Sequence, residues 1–154
     1  MRRLLVDADA CPVRAEVIRA GRDHGWPVIL VAGPSQVLEE GPGVEVVRVD
    51  AAPQAADLEL ANRATAGDLV VTGDLGLAAL ALARGARVLD FRGRVVRAEN
   101  IDSLLATRHL AWKTRRGGGR TRGPRAMDAE DRARFREALG AVLSEGGEPG
   151  LSRP

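Results

Sequence analysis

Apolar residues along this chain gather into short runs separated by segments of helical spacing. The run ending in LLV at 4–6 has strand length, and CPVRAEVIRAGRDHG places Val13, Val17, Ile18 and Gly21 on one helical face. Pro12 suits the first turn of that helix and Gly25 its end. VILVA at 28–32 reads as a buried strand, and VEVVRV at 44–49 is rich in the β-branched valine that favours extended structure. AADLELANRATAG reads as a helix closed by Gly67, LVVT at 69–72 as a strand, DLGLAALALARG as a helix closed by Gly85, and ARVLD as a further strand.

Strands and helices alternating at this spacing predict an α/β fold with a mainly parallel sheet and helices on both faces. After Asp90 the pattern changes. Asn100 is placed to cap a helix running through Arg108, TRRGGGRTRGPRAM has no period, and Asp128 opens a helix with Phe135, Ala138, Leu139, Val142 and Leu143 on one side. The expected organisation is a single domain over 1–145, with a basic glycine-rich loop at 110–127 and a disordered tail at 146–154.

Composition narrows the class. Hydrophobic residues make up 45% of the 154, ordinary for a globular chain, and no apolar run approaches the roughly 20 residues that span a bilayer. The first residues reach Asp7 and Asp9 before a signal-peptide core could form, so the expectation is a soluble cytoplasmic protein with no membrane partner. A lone cysteine, Cys11, excludes an internal disulfide and every multi-cysteine zinc arrangement.

Charge is unevenly placed. Residues 1–102 carry 12 basic and 15 acidic side chains, whereas 103–127 hold Arg108, Lys113, Arg115, Arg116, Arg120, Arg122 and Arg125 with no acid. Arginine forks pair with phosphate oxygens, and Trp112 adds one stacking surface, so this segment is a candidate RNA-binding arm, with Arg92 and Arg94 able to join it. A solvated, arginine-biased loop is the alternative.

In an open parallel sheet, ligands bind outside the carboxyl ends of the strands. Asp7 and Asp9 follow LLV, Asp74 follows LVVT, and Asp57 lies early in the helix after the third strand, all on that rim. The place of Asp90 depends on strand order, and Asp68 lies at the opposite end of its strand and is excluded. Two carboxylates about 5 Å apart repel by on the order of 3 kcal/mol at an effective dielectric near 20, so such a cluster calls for a cation. With no nearby histidine or cysteine cluster, the donor set suits a hard ion, Mg²⁺ or Mn²⁺, held by Asp7, Asp9 and Asp74. Asp57 is then a further ligand or a base that orients water. Asp57 or Asp74 alone also suits a helix N-cap; Asp7 and Asp9 cannot both cap the one helix that follows them.

DADACPVRAEV, GDLVVTGDLGLAALAL with Gly85-Ala86 just after, NIDSLLATRH and GPRAMDAEDRARF resemble, in order and spacing, the bacterial YaiI/YqxD family of uncharacterised proteins, from about residue 4 to residue 139. The resemblance implies a PIN-like domain: a Rossmann-like three-layer α/β/α sandwich with an acidic, metal-binding rim and metal-dependent nuclease chemistry. Its rim positions fall on Asp7, Asp9, Asp57 and Asp74. Two departures stand out. Relatives tend to read GFDAAD where this chain has APQAAD, so Gln54 replaces an acid, and PRG where it has Phe91, Arg92 and Gly93.

Three other readings compete with the nuclease. A non-catalytic RNA-binding or interaction module would keep the fold, and Gln54 favours it. A haloacid-dehalogenase-type phosphatase would use Asp7 as nucleophile and Asp9 as general acid, but needs a lysine and a later acidic pair after a strand. The only lysine is Lys113, and Asp128 and Asp131 follow no apolar run. A Cys11 nucleophile lacks a placed histidine, since His24 ends a helix and His109 follows a leucine-rich one, so Cys11 reads as a small buried side chain.

Overall fold

The structure, a computed structural model, describes residues 2–38, 40–52, 54–106 and 126–146. The elements run β1 (Leu4–Asp7), α1 (Arg14–His24), β2 (Val28–Ala32), β3 (Val44–Arg48), α2 (Ala55–Arg63), β4 (Leu69–Val71), α3 (Leu75–Ala83), β5 (Arg87–Leu89), β6 (Val95–Val96), α4 (98–106) and α5 (Ala129–Gly146). They build one six-stranded sheet in the order β3-β2-β1-β4-β5-β6, parallel throughout except for antiparallel β6 at the edge. This is a Rossmann-like α/β sandwich.

Side-chain alternation divides the core into two layers. Leu4 and Val6 of β1, Val28 and Leu30 of β2 and Leu69 and Val71 of β4 point to one face, where Val17 of α1 and Phe135, Leu139 and Leu143 of α5 cover them. Leu5, Ile29, Val31, Val70 and Val88 point to the other, under Leu60 of α2, Leu77 and Ala81 of α3 and Ile101 of α4. Strands buried on both faces are why these runs are continuously apolar in the sequence. Among the described residues no helix is long and apolar enough to cross a membrane.

Element ends differ from the sequence reading where local hydrogen bonding decides. Helix α1 starts at Arg14, because Cys11, Pro12 and Val13 form a turn that buries Cys11 and Val13. It closes at Gly25, whose φ of 73° is left-handed. Helix α2 stops at Arg63, short of Gly67, since Thr65 turns back onto Asp68. Asn100 lies inside the first turn of α4, where its Oδ1 accepts the Arg97 N–H and so returns the cap from within the helix. Asp128 caps α5 by accepting the Asp131 N–H at 2.8 Å, and the Asp131 carboxylate accepts the Asp128 N–H in return. Strand β6 was not expected from the sequence. Helix α5 is described through 146, the first residue of the expected tail, and 147–154 lie outside the described residues.

Candidate functional site

The chain leaves the sheet in opposite senses from two adjacent strands. After β1 it enters α1 on one face, and after β4 it enters α3 on the other, so the carboxyl ends of β1 and β4 border the crevice where such sheets hold ligands. Asp7 is the last residue of β1 and Asp74 lies just beyond β4. Asp57, in the first turn of α2, packs over the same end.

Three of the four acids on this rim are held by backbone donors. Asp7 Oδ1 accepts the Asp9 N–H at 3.0 Å, and Asp9 Oδ2 accepts the Gly33 N–H at 2.8 Å, which ties the loop after β1 to the loop after β2. Asp74 caps α3, its Oδ1 accepting the Leu77 N–H at 2.9 Å, while its own N–H donates to Thr72 Oγ1. The capping role read from the sequence is therefore real for Asp74, and it occupies only one of the two oxygens. Asp57 makes no hydrogen bond among the described residues, and none of the four acids has a basic partner there.

Asp7 and Asp57 have raised proton affinity. Burial pushes the Asp7 carboxyl up, the Asp9 charge adds to this, and the Asp9 and Ala10 N–H groups oppose it. Burial also pushes Asp57 up, with the charges of Asp74 and Asp7 reinforcing it. The charges of Asp74 and Asp7 thus act on Asp57, and that of Asp9 acts on Asp7. Between Asp7, Asp9 and Asp57 opens a polar cleft of about 260 Å³, also lined by Ser35, Asp50 and Gln54.

These donors suit a hard cation of a particular kind. Among the described residues no three His, Cys, Asp or Glu side chains converge as a ready-made metal cage. Mg²⁺, however, keeps several waters and binds through one or two carboxylates together with substrate phosphates. Half-buried oxygens without counter-ions, on residues whose charges act on one another, fit a hydrated ion of that type.

The other acids are engaged elsewhere. Asp68 is fully buried at the opposite end of β4, where it accepts from the Arg3 backbone and guanidinium and from the Thr65 N–H and hydroxyl. Burial alone would raise its carboxyl, but these donors outweigh it and hold it below the usual carboxylate range. Asp90 lies two strands from Asp7, and its carboxylate is taken up by the Arg92 and Arg94 N–H groups and the Arg94 guanidinium. Arg92, read from the sequence as a phosphate contact, donates to the fully buried Asp131 at 2.7 Å through Nη1. Asp131 and Asp128 cap α5, which leaves the phosphatase reading without its acidic pair. Burial pushes the free Cys11 thiol up to about 11, so it is unfit to act as a nucleophile near neutral pH. Arg115, Arg116, Arg120, Arg122 and Trp112 lie outside the described residues.

Two positions that shape the cleft were not singled out as such. Arg48, the last residue of β3, donates to the Gly33 and Gln36 carbonyls and so holds the loop that forms one wall. A lone arginine ending a valine strand was the available signal. Gln54 takes a left-handed φ of 66° at the N-cap of α2, a conformation costly for a residue with a Cβ.

The profile of the uncharacterised YaiI/YqxD family matches residues 5–145. A UPF0178 protein of Shouchella clausii is 43% identical over 140 residues, covering 91% of each chain. A UPF0178 protein of Bacillus cereus is 42% identical over 144 residues, covering 92% of this chain and 99% of the relative. A third, from Exiguobacterium sibiricum, is 41% identical over 143 residues, covering 93% and 97%. No solved structure matches the chain significantly. The chain belongs to the YaiI/YqxD family.

Proposed function

We propose that this YaiI/YqxD protein is a divalent-metal-dependent phosphodiesterase acting on RNA, with the PIN-like character that its motifs imply. One observation carries the reading: Asp7, Asp57 and Asp74 lie at the carboxyl end of the sheet, with the charges of Asp7 and Asp74 acting on Asp57, and none of them has a basic partner among the described residues. Stability alone gives no reason to keep that arrangement. Asp7, Asp9 and Asp74 would hold a divalent ion, Mg²⁺ or Mn²⁺, which would supply polarisation of a phosphodiester and a lowered pKa for bound water.

The chain's own residues divide the remaining work. Asp7 and Asp74 each keep one oxygen on a backbone N–H, which fixes the direction of the other. Asp9 anchors the β1 and β2 loops through Gly33 and contributes charge beside Asp7. Asp57, free of hydrogen bonds and with raised proton affinity, orients water and takes its proton. The polar cleft toward Gln54 accepts the part of the substrate next to the scissile phosphate.

The test is cleavage of a single-stranded oligoribonucleotide with Mg²⁺ or Mn²⁺. Cleavage should stop on chelation and return on adding back the ion; cleavage indifferent to chelator overturns the metal-dependent reading. The basic segment is assigned the phosphate contacts. RNA affinity should fall steeply with salt, and replacing Arg115 and Arg116 by Gln should flatten the log–log slope by about 0.7 per lost contact. An unchanged slope reduces the segment to a solvated loop.

Gln54 supports a second reading, a non-catalytic RNA-binding module. It places an amide where the motif resemblance expects an acid, in the wall of the cleft itself. RNA binding without cleavage under any divalent ion would favour this reading.

A further inference from the structure

We propose that Phe91 is a base-stacking platform beside the acidic rim, so that the site takes a single-stranded polynucleotide laid across the sheet edge and not an isolated phosphate ester. The inference rests on the RNA reading above and specifies its substrate.

The chain has four aromatic side chains, Trp26, Phe91, Trp112 and Phe135. Trp26 and Phe135 are buried in the core and Trp112 lies outside the described residues, which leaves Phe91 as the half-buried aromatic. It stands just past β5, the neighbour of β4. Its ring lies over Gly73, where an added Cβ would come within 2.9 Å of a ring carbon. Gly73 directly precedes Asp74, so glycine there gives the ring a seat against the acidic rim. The ring borders the acids from the β5 side, and the polar cleft opens from Asp7 toward β2 and β3. A chain of nucleotides crossing the rim meets both.

The ring is also rigidly presented. Asp90 accepts from the Arg92 and Arg94 N–H groups at 3.0 and 2.8 Å, and the Gly93 N–H donates to the Asp90 carbonyl. Gly93 takes a left-handed φ of 91° and packs so close to α5 that an added Cβ would come within 2.9 Å of the Arg134 carbonyl oxygen, and Arg92 is ion-paired to Asp131. A turn pinned to α5 at two points loses little conformational freedom when a ligand arrives. Stacking on an aromatic face is tolerant of base identity and independent of charge, which suits an edge whose carboxylates repel phosphate until a cation intervenes.

The experiment titrates a 2-aminopurine-labelled single-stranded oligoribonucleotide with the wild-type protein, Phe91→Leu and Phe91→Trp in the presence of Mg²⁺, with melting curves of each. Leucine keeps the apolar contact with Gly73 and the core; tryptophan keeps the aromatic face. The expected result is fluorescence quenching by wild type, roughly tenfold weaker binding with the quench lost in Phe91→Leu, and recovery in Phe91→Trp, all three melting within a few degrees. Equal binding and quenching by Phe91→Leu, or loss in Phe91→Leu without recovery in Phe91→Trp, overturns the stacking role and leaves the RNA reading intact. A wild type that binds Mn²⁺ but no oligoribonucleotide overturns the RNA reading and this inference together.

Discussion

Asp7→Asn lowers RNA cleavage by on the order of a hundredfold to a thousandfold while leaving the fold more stable at neutral pH. Asp7 accepts the Asp9 N–H and its charge acts on Asp57, so it is linked to both neighbours on the rim. On the proposed metal-binding reading the substitution takes away an oxygen that would direct the cation, and it also removes repulsion that the fold carries. Because Asp7 is half-exposed, solvent screening reduces that repulsion to on the order of 1 kcal/mol, a rise in Tm of about 2–4 °C. The pH dependence has a fixed sign. A carboxyl raised in the folded state favours folding fully below its unfolded pKa of about 3.9 and loses that contribution as pH rises through the folded value. The gain from Asn is therefore present near pH 7 and vanishes as pH falls below about 4. Thermal melts across pH, paired with cleavage assays, check both halves. A variant that melts well below wild type at pH 7 would make Asp7 a structural residue.

Asp68→Ala, on the same strand–helix scaffold, has the opposite outcome. It strands the Arg3 guanidinium, only 18% exposed, and the Arg3 and Thr65 N–H groups that converge on one carboxylate. Breaking a buried pair from one side costs roughly 3–5 kcal/mol, which lowers Tm by about 6–20 °C. Here the folded-state pKa is depressed, so the contribution is present above the unfolded pKa and lost as pH falls through the folded value. The deficit of the variant should be full at neutral pH and shrink in acid. Metal binding should survive in the folded fraction, since Asp68 lies at the far end of β4 from Asp74. A Tm within about 2 °C of wild type would remove the buried ion pair from the account of stability.

The contrast between these two acids shows what the sequence could carry. Strands β1, β2 and β4 are legible because both faces are buried and the runs are apolar, and β3 because it is rich in valine. The rim acids are legible because Asp7 ends β1 with Asp9 just after it, Asp74 lies just past β4 and Asp57 lies in the first turn of the helix after β3. Asp68 was excluded by the same rule, since it precedes its strand. Strand β6 was not legible: two valines between Arg94 and Arg97 gain strand geometry only from the turn that Asp90 and Gly93 close. The engagement of Arg92 with Asp131, 39 residues later, is a tertiary fact with no local signature. Strand order is the largest feature that a single chain does not encode locally. It places β1 beside β4, and thereby sets Asp57 against Asp7 and Asp74 and removes Asp90 from the group. The sequence paired Asp7 and Asp9 through their spacing. In the fold Asp9 also accepts the Gly33 N–H, its charge acts on Asp7, and Asp57 joins both along the polar cleft.

Calorimetric titration of Mn²⁺ and Mg²⁺ into the wild-type protein and into Asp7→Asn tests the metal-binding rim most directly. The account predicts saturable binding to wild type that the substitution abolishes, with both proteins folded. Absence of binding to folded wild type, with and without an oligoribonucleotide present, would contradict it and leave the four aspartates as caps and turn anchors.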